Sequence, residues 1–259
     1  MRLLMIGDIV GRPGRKAVKE TLPGLKKELQ VDVVVANGEN AAGGTGITQD
    51  VANELFNAGI DILTMGNHVW DKKDVFTFID KEKRIVRPAN YPEGTPGLGY
   101  TVCEIQNTKI IIINISGLVF MPNLRCPFRT VAEILEEAKD ITPNIFVDFH
   151  AEATSEKIAL AWYLNGRVTA VCGTHTHVQT ADETILPDGT AYITDIGMTG
   201  PKNSVLGVKT DLVLQKFLTQ MPVRFEVADG PYQFNAVVIE FDELSGKARN
   251  IERIFNIEG

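Results

Sequence analysis

The sequence predicts an α/β protein in which mixed sheets pack together with helices outside. Apolar runs of strand length alternate with helix-period segments through the first half of the chain. Strands dominate the second half, which favours stacked sheets over a single wound one. No internal repeat, low-complexity stretch or linker-like segment divides the chain, so residues 1–259 are expected to form one domain.

Residues 3–6 read as a first strand. Val18, Leu22, Leu25 and Leu29 then recur at helical spacing, with Pro23-Gly24 expected to break that helix in two. A buried strand over 31–36, a helix over 48–58 and a strand over 60–64 follow. The spacing predicts a helix over 73–80, a Pro- and Gly-rich loop over 87–99, and a strand pair over 100–105 and 109–115. An amphipathic segment spans 130–139, a buried strand 145–149, a helix 155–164 and a strand 168–172. Strands over 190–194, 223–227, 234–241 and 248–255 complete the β-rich portion, with Leu244-Ser245-Gly246-Lys247 as a hairpin turn.

Of the 259 residues, 44% are hydrophobic and 23% charged, enough apolar material for a large core. The formal charge of -7 repels a polyanion, so stable binding to long nucleic acid is not expected. A small phosphate ester remains accessible, because a local cationic centre dominates within a Debye length of about 8 Å. Cys103, Cys126 and Cys172 are odd in number and widely spaced. That argues against a disulfide framework and a thiolate zinc site, and each is expected to be a small buried hydrophobe. The apolar start of the chain is too short for a signal peptide or a membrane span, and no other run reaches spanning length. The expected location is the cytoplasm, away from membranes.

The strongest signal is positional. Five of these strands run directly into polar residues that can bind metal: Asp8, then Asn37-Gly38-Glu39-Asn40, Gly66-Asn67-His68, His150, and Gly173-Thr174-His175-Thr176-His177. Ligands of α/β sheets bind at the carboxyl ends of strands, so these tips are expected to converge. All four histidines of the chain lie in them. A polar network capping the sheets is the alternative for the whole set; Asp8, Glu39, Asn40, Asn67 and every histidine together favour metal. Two metals roughly 3.5–4 Å apart clamp the oxygens of an in-line phosphoryl displacement. Two carboxylates among neutral imidazoles and amides leave such a centre electropositive, able to hold an anionic ester and to acidify a bridging water.

In order along the chain, these tips resemble the motifs of the metallophosphoesterase, or calcineurin-like, superfamily. Gly66-Asn67-His68 and His175-Thr176-His177 match well, and His150 stands where that superfamily has a lone histidine. Two departures narrow the resemblance. Asp8-Ile9-Val10 lacks the usual histidine, and Gly38-Glu39-Asn40 has Glu in place of Asp, with Asn40 filling the vacancy left at Val10. That variant is similar to the YmdB-like phosphodiesterases of bacteria. So are Gly7-Asp8-Ile9-Val10-Gly11, Arg87-Pro88-Ala89-Asn90-Tyr91-Pro92, Phe149-His150-Ala151-Glu152 and Asp195-Ile196-Gly197-Met198-Thr199-Gly200.

The resemblance implies a four-layer α-β-β-α sandwich of two mixed sheets. It implies two metal ions, iron first, with manganese or another divalent transition metal as alternatives. It implies hydrolysis of 2′,3′-cyclic nucleotides, with 3′,5′-cyclic nucleotides as a further candidate, through a metal-bridging hydroxide. Carried over by position, Asp8, Glu39, Asn40 and His177 would hold one metal, and Glu39, Asn67, His150 and His175 the other, with Glu39 bridging. His68 would be no ligand but the catalytic residue, protonating the leaving alkoxide or bonding a phosphate oxygen. A homo-oligomer is compatible with this reading.

Weaker signals have plain explanations. The glycines at 7, 11 and 14 lack dinucleotide spacing, and Gly43-Gly44-Thr45-Gly46 lacks the lysine of a phosphate loop. Both are expected as turns beside the metal centre. Arg12, Arg15 and Lys16 read as a solvated helix face, and Tyr91 as a loop anchor or a base-stacking ring. Asp71 either orients His68 or caps the following helix. Met198 and Thr199 either line the pocket or only shape its Gly-bounded loop. Three rival functions remain: an amidohydrolase, whose His-x-His comes early in the chain rather than late; a phosphomonoesterase or nucleotidase on the same scaffold; and a non-catalytic, metal-holding nucleotide sensor.

Overall fold

A computed structural model describes residues 1–257, with the backbone alone at 256 and 257. The first half runs β1 (Arg2–Ile6), β2 (Asp8–Ile9), α1 (Gly11–Glu28), β3 (Val33–Asn37), α2 (Gln49–Asn57), β4 (Ile62–Thr64), α3 (Val75–Phe78), β5 (Ile85–Val86), β6 (Tyr100–Ile105) and β7 (Thr108–Ser116). The second half runs α4 (Pro127–Ala138), β8 (Ile145–His150), α5 (Thr154–Leu164), β9 (Ala170–Thr174), β10 (Thr184–Ile185), β11 (Ala191–Ile193), β12 (Met198–Pro201), α6 (Thr210–Thr219), β13 (Tyr232–Phe241) and β14 (Ala248–Ile257).

Two mixed sheets form. The larger has the order β2-β12-β13-β1-β3-β4-β5, with β14 also on β13, and the smaller β10-β11-β9-β8-β7-β6. Side-chain alternation divides β1: Leu4 and Ile6 pack outward with Val18 and Leu22 of α1 and Leu55 of α2, while Leu3 and Met5 pack inward. The inward set meets Ile110 and Ile112 of β7, Phe146 of β8 and Cys172 of β9, which joins the two sheets. The far face of the second sheet, through Ile111, Val147 and Val171, is covered by Val131 and Leu135 of α4 and Leu160 and Leu164 of α5. The layers are therefore α-β-β-α. Strands buried on both faces read as near-continuous apolar runs, as β1 and β3 do, with Asp148 the one interruption before His150 in β8.

Several expectations are corrected. Pro23 does not break α1, which is continuous from Gly11 to Glu28. Pro23 and Lys19, whose carbonyl loses its helical partner, both lie on the exposed face, where water can take that bond. The helix expected over 73–80 shrinks to the four residues of α3. Residues 223–227 form no strand: among them only Val227 is paired, in a single bridge to Val208. Cys172 is buried, but Cys103 is half-buried and Cys126 exposed; all three are free thiols. The sequence reading missed α6, because only Val213 of it is buried and there is no one-sided stripe to detect. It also missed the short strands β2, β5, β10 and β12. The hairpin turn after β6 is of the primed kind, with Gln106 and Asn107 at φ 51° and 66°. Among the described residues no helix is long and apolar enough to cross a membrane.

Candidate metal centre

The predicted tips converge. Asp8 opens β2 just past β1; Glu39 and Asn40 follow β3; Asn67 and His68 follow β4; His150 ends β8; His175 and His177 follow β9. Both sheets thus contribute, and each donor lies where an apolar strand gives way to loop.

The donors fall into two groups that meet at Glu39. On one side, Asn40 Nδ2 lies 3.1 Å from Glu39 Oε1 and 3.2 Å from His177 Nε2, and His177 Nε2 lies 3.8 Å from Asp8 Oδ1. On the other, His150 Nε2 lies 3.2 Å from Glu39 Oε1, 3.0 Å from Asn67 Oδ1 and 3.0 Å from His175 Nδ1. Ligand atoms of Glu39, His150 and His175 all lie within 4.8 Å of one another. Asn40 would have to turn its amide to offer oxygen to a cation. His68 keeps apart from both groups: its backbone N–H donates to Glu39 Oε2 at 3.0 Å and its ring faces a cleft.

The outward nitrogen of every histidine is engaged. His150 Nδ1 meets Thr174 Oγ1 at 2.9 Å, and that hydroxyl donates to Asp148 Oδ1 at 2.6 Å. His177 Nδ1 donates to the Leu206 carbonyl at 3.0 Å. His175 Nε2 lies 3.1 Å from Glu152 Oε2. These partners fix each ring so that its free nitrogen points inward, the usual outer-shell arrangement of metal-ligating histidines. His68 Nδ1 is held in the same way by Asp71 Oδ2 at 2.8 Å, whereas α3 is preceded by Asp74. Asp71 therefore orients His68.

Electrostatics make the same demand. Burial raises the Asp8 carboxyl to about 6, against the opposing pull of His177 and His150. Burial would raise Glu39 too, but the charge of His150 and its hydrogen bond prevail and hold it at about 2. His150, itself disfavoured as a cation by burial, is lifted to about 9 by Glu39 and Asp8. Burial and the neighbouring His150 push His175 down to about 3. Two buried carboxylates thus call for positive charge between them, which a proton on His150 or a cation can supply.

The residues fit a metal. Asp8 Oδ1 is fully buried and has no hydrogen-bond partner, a costly state for a carboxylate unless a cation completes it. Gly66 keeps the centre open: a Cβ there would stand 2.3 Å from Glu39 Oε2 and 2.4 Å from His150 Nε2. Gly66→Ala is accordingly expected to displace both donors and abolish tight metal uptake while the chain still folds. Elemental analysis of the purified variant beside its circular dichroism checks this, and full metal content would refute it.

A cleft of about 580 Å³ opens over the donors, lined by Glu39, His68, His175 and His177 and, further out, by Lys72, Arg224 and Phe225. The turn over 43–46 forms one wall, with Gly43, Gly44 and Gly46 all at positive φ. A second cavity of about 470 Å³ shares His177 and Leu206 and includes Met198, whereas Thr199 is buried and bonded to Asn235. Tyr91 anchors its loop edge-on to Trp70 at 5.7 Å and does not line the cleft. Arg15 is not simply solvated: it pairs with Glu54 at 2.8 Å and donates to the Ala41 carbonyl at 2.7 Å. Asp148, Thr174 and Glu152 escaped the sequence reading as supporting residues, although a lone Asp inside the apolar run of β8 was a readable signal.

This architecture, with polar side chains gathered from the strand ends of both sheets, is that of a hydrolase of the metallophosphoesterase type. A crystal structure of a 5′-nucleotidase from Candida albicans SC5314 shares the fold, with a TM-score of 0.56 at 12% identity over 98% of this chain and 50% of that one. The model of the YmdB-like protein family matches residues 4–254, and the chain belongs to that family. A Bacillus subtilis (strain 168) protein named 2′,3′-cyclic-nucleotide 2′-phosphodiesterase is 53% identical over 254 residues, covering 98% of this chain and 96% of its own. A hypothetical protein from Thermus thermophilus superposes with a TM-score of 0.95 at 43% identity, covering 100% of both chains.

Proposed function

We propose that the chain is a metal-dependent phosphodiesterase that opens 2′,3′-cyclic nucleotides, with 3′,5′-cyclic nucleotides as a second candidate substrate. The observation that carries this is the set of inward-facing donors in two groups about Glu39, each histidine fixed from behind. One ion would take Asp8, Glu39, Asn40 and His177; the other would take Glu39, Asn67, His150 and His175. Iron is the first candidate, and manganese or another divalent transition metal suits the same imidazole, amide and carboxylate set. When bound, such ions supply Lewis-acid polarisation of the phosphoryl oxygens and acidify a water. The reading takes residues 1–259 as one domain, supported by donors drawn from both sheets, and places the reaction in the cytoplasm.

The chain's own residues do the rest. In hydrolysis a water oxygen bonds to phosphorus, one ribose P–O bond breaks, and the departing alkoxide needs a proton. His68 lines the cleft, is half-exposed and is held by Asp71, so it can deliver that proton. Lys72 and Arg224 line the cleft and bring positive charge toward an anionic ligand, with Glu226 within electrostatic reach of Arg224. Exposed Phe225 offers a face for a base. The relative named as a 2′,3′-cyclic-nucleotide 2′-phosphodiesterase supports the substrate class.

The test is hydrolysis of 2′,3′-cyclic and 3′,5′-cyclic nucleotides and of a phosphate monoester, before and after chelation. Turnover of the cyclic diester that is lost on chelation and restored by Mn²⁺ or Fe²⁺ is expected. Turnover indifferent to chelation contradicts the metal reading, and preference for the monoester moves the chain to the nucleotidase class.

A further inference from the structure

His175 and His177 both have left-handed backbone, with φ 98° and 65°. Non-glycine residues persist there only where their surroundings over-determine them. Thr176, between them, donates its N–H at 3.1 Å and its hydroxyl at 2.7 Å to one oxygen, Asp195 Oδ2. The same oxygen accepts from Lys157 Nζ at 2.7 Å, and Asp195 Oδ1 accepts from the Gly197 N–H at 2.8 Å. Asp195 is 0% exposed and Lys157, on α5, is 1% exposed.

An ammonium buried this deeply is costly to desolvate, and a hydrophobic residue of similar volume would often serve stability as well or better. The pair is therefore a weak stabiliser in its own right. Its position explains it better: it sits directly behind the one residue that separates two metal-donor histidines.

We propose that Asp195 and Lys157 are positioning residues for the His175-Thr176-His177 run. The carboxylate pins Thr176 by two bonds, which holds the flanking residues in their strained conformation and aims His175 Nδ1 and His177 Nε2 inward. The Lys157 ammonium, 2.7 Å from the same oxygen, holds that carboxylate in place from the side of α5. This rests on the reading of the two histidines as metal ligands.

Thr176→Val keeps the side-chain shape and deletes the hydroxyl donor; Thr176→Ser retains the donor. The full chain, stripped with chelator, is titrated with Mn²⁺ by calorimetry, and its ion-free melting temperature is measured alongside. Thr176→Val is expected to weaken Mn²⁺ binding by about 10- to 100-fold, as loss of an outer-shell partner does, with Thr176→Ser close to the wild type. Ion-free melting temperatures are expected to agree within about 4 °C. If Thr176→Val does not fold, Asp195→Asn reports on the same bonds, with the same weakening expected.

Wild-type affinity in Thr176→Val overturns the proposal, as does a lowered ion-free melting temperature with affinity unchanged, which marks a structural pair only. A wild-type chain that takes up no Mn²⁺ defeats the metal reading itself, a result distinct from both.

Discussion

Glu39→Gln is expected to lose metal and to lower turnover of a 2′,3′-cyclic nucleotide by roughly three orders of magnitude or more, since metal ions supply several kcal/mol of transition-state stabilisation. Glu39 is 1% exposed and stands where both donor groups meet, 3.1 Å from Asn40 Nδ2 and 3.2 Å from His150 Nε2. Glutamine preserves the shape but removes the charge. It also presents an N–H₂ toward groups that need an acceptor, among them the His68 backbone N–H. Because the change is nearly isosteric, the folded chain is expected to survive, so metal content and rate can be read on intact protein. A variant that keeps its ions and its rate would show that Glu39 joins nothing.

His68→Ala is expected to behave in the opposite way with respect to metal. It removes a ring that touches neither donor group, so metal content should stay at the wild-type level. Turnover should fall by about 10²–10⁴-fold, the usual contribution of a positioned general acid. The effect should rest on kcat more than on KM, because the proton is required as the P–O bond breaks rather than on binding. Asp71→Asn should give a smaller loss of the same kind, since it weakens the bond that holds the imidazole at 2.8 Å. Unchanged turnover in His68→Ala with metal retained removes His68 from the reaction, and loss of metal would make it part of the centre instead.

The convergence of these side chains was legible because the chain places polar residues at the ends of apolar strands. A strand buried on both faces reads as a mostly apolar run, and polar residues cluster where that run ends. Asp8, Glu39, Asn67, His150 and His175 could be found this way without knowing how the sheets stack. The supporting contacts were not legible, because they depend on which strands become neighbours. Thr174 reaches His150 only because β9 lies parallel to β8 with His150 opposite Thr174. Leu206 meets His177 through a loop with no pattern of its own. Lys157 carries no sequence signal that sets it apart from any helical lysine, and its pairing with Asp195 at 2.7 Å is set by the fold.

The parts of the fold that the sequence does not announce are those where tertiary context outweighs local pattern. Pro23 is tolerated because the face it disrupts is wet, and a sequence does not announce which face that is. The apolar residues of 223–227 suggest a strand, yet Phe225 and Val227 serve as one wall of the cleft, with Phe225 half-exposed. In α6, Leu214, Phe217 and Leu218 are exposed, so its helical period carries no burial signal.

The most direct measurement is anomalous scattering from crystals of the chain loaded with Mn²⁺. Two peaks are predicted, one on each side of the Glu39 carboxylate, the first within bonding reach of Asp8 and His177 and the second of His150 and His175. A single peak away from Glu39, or none in a crystal of protein active on cyclic nucleotides, would contradict a paired-cation centre.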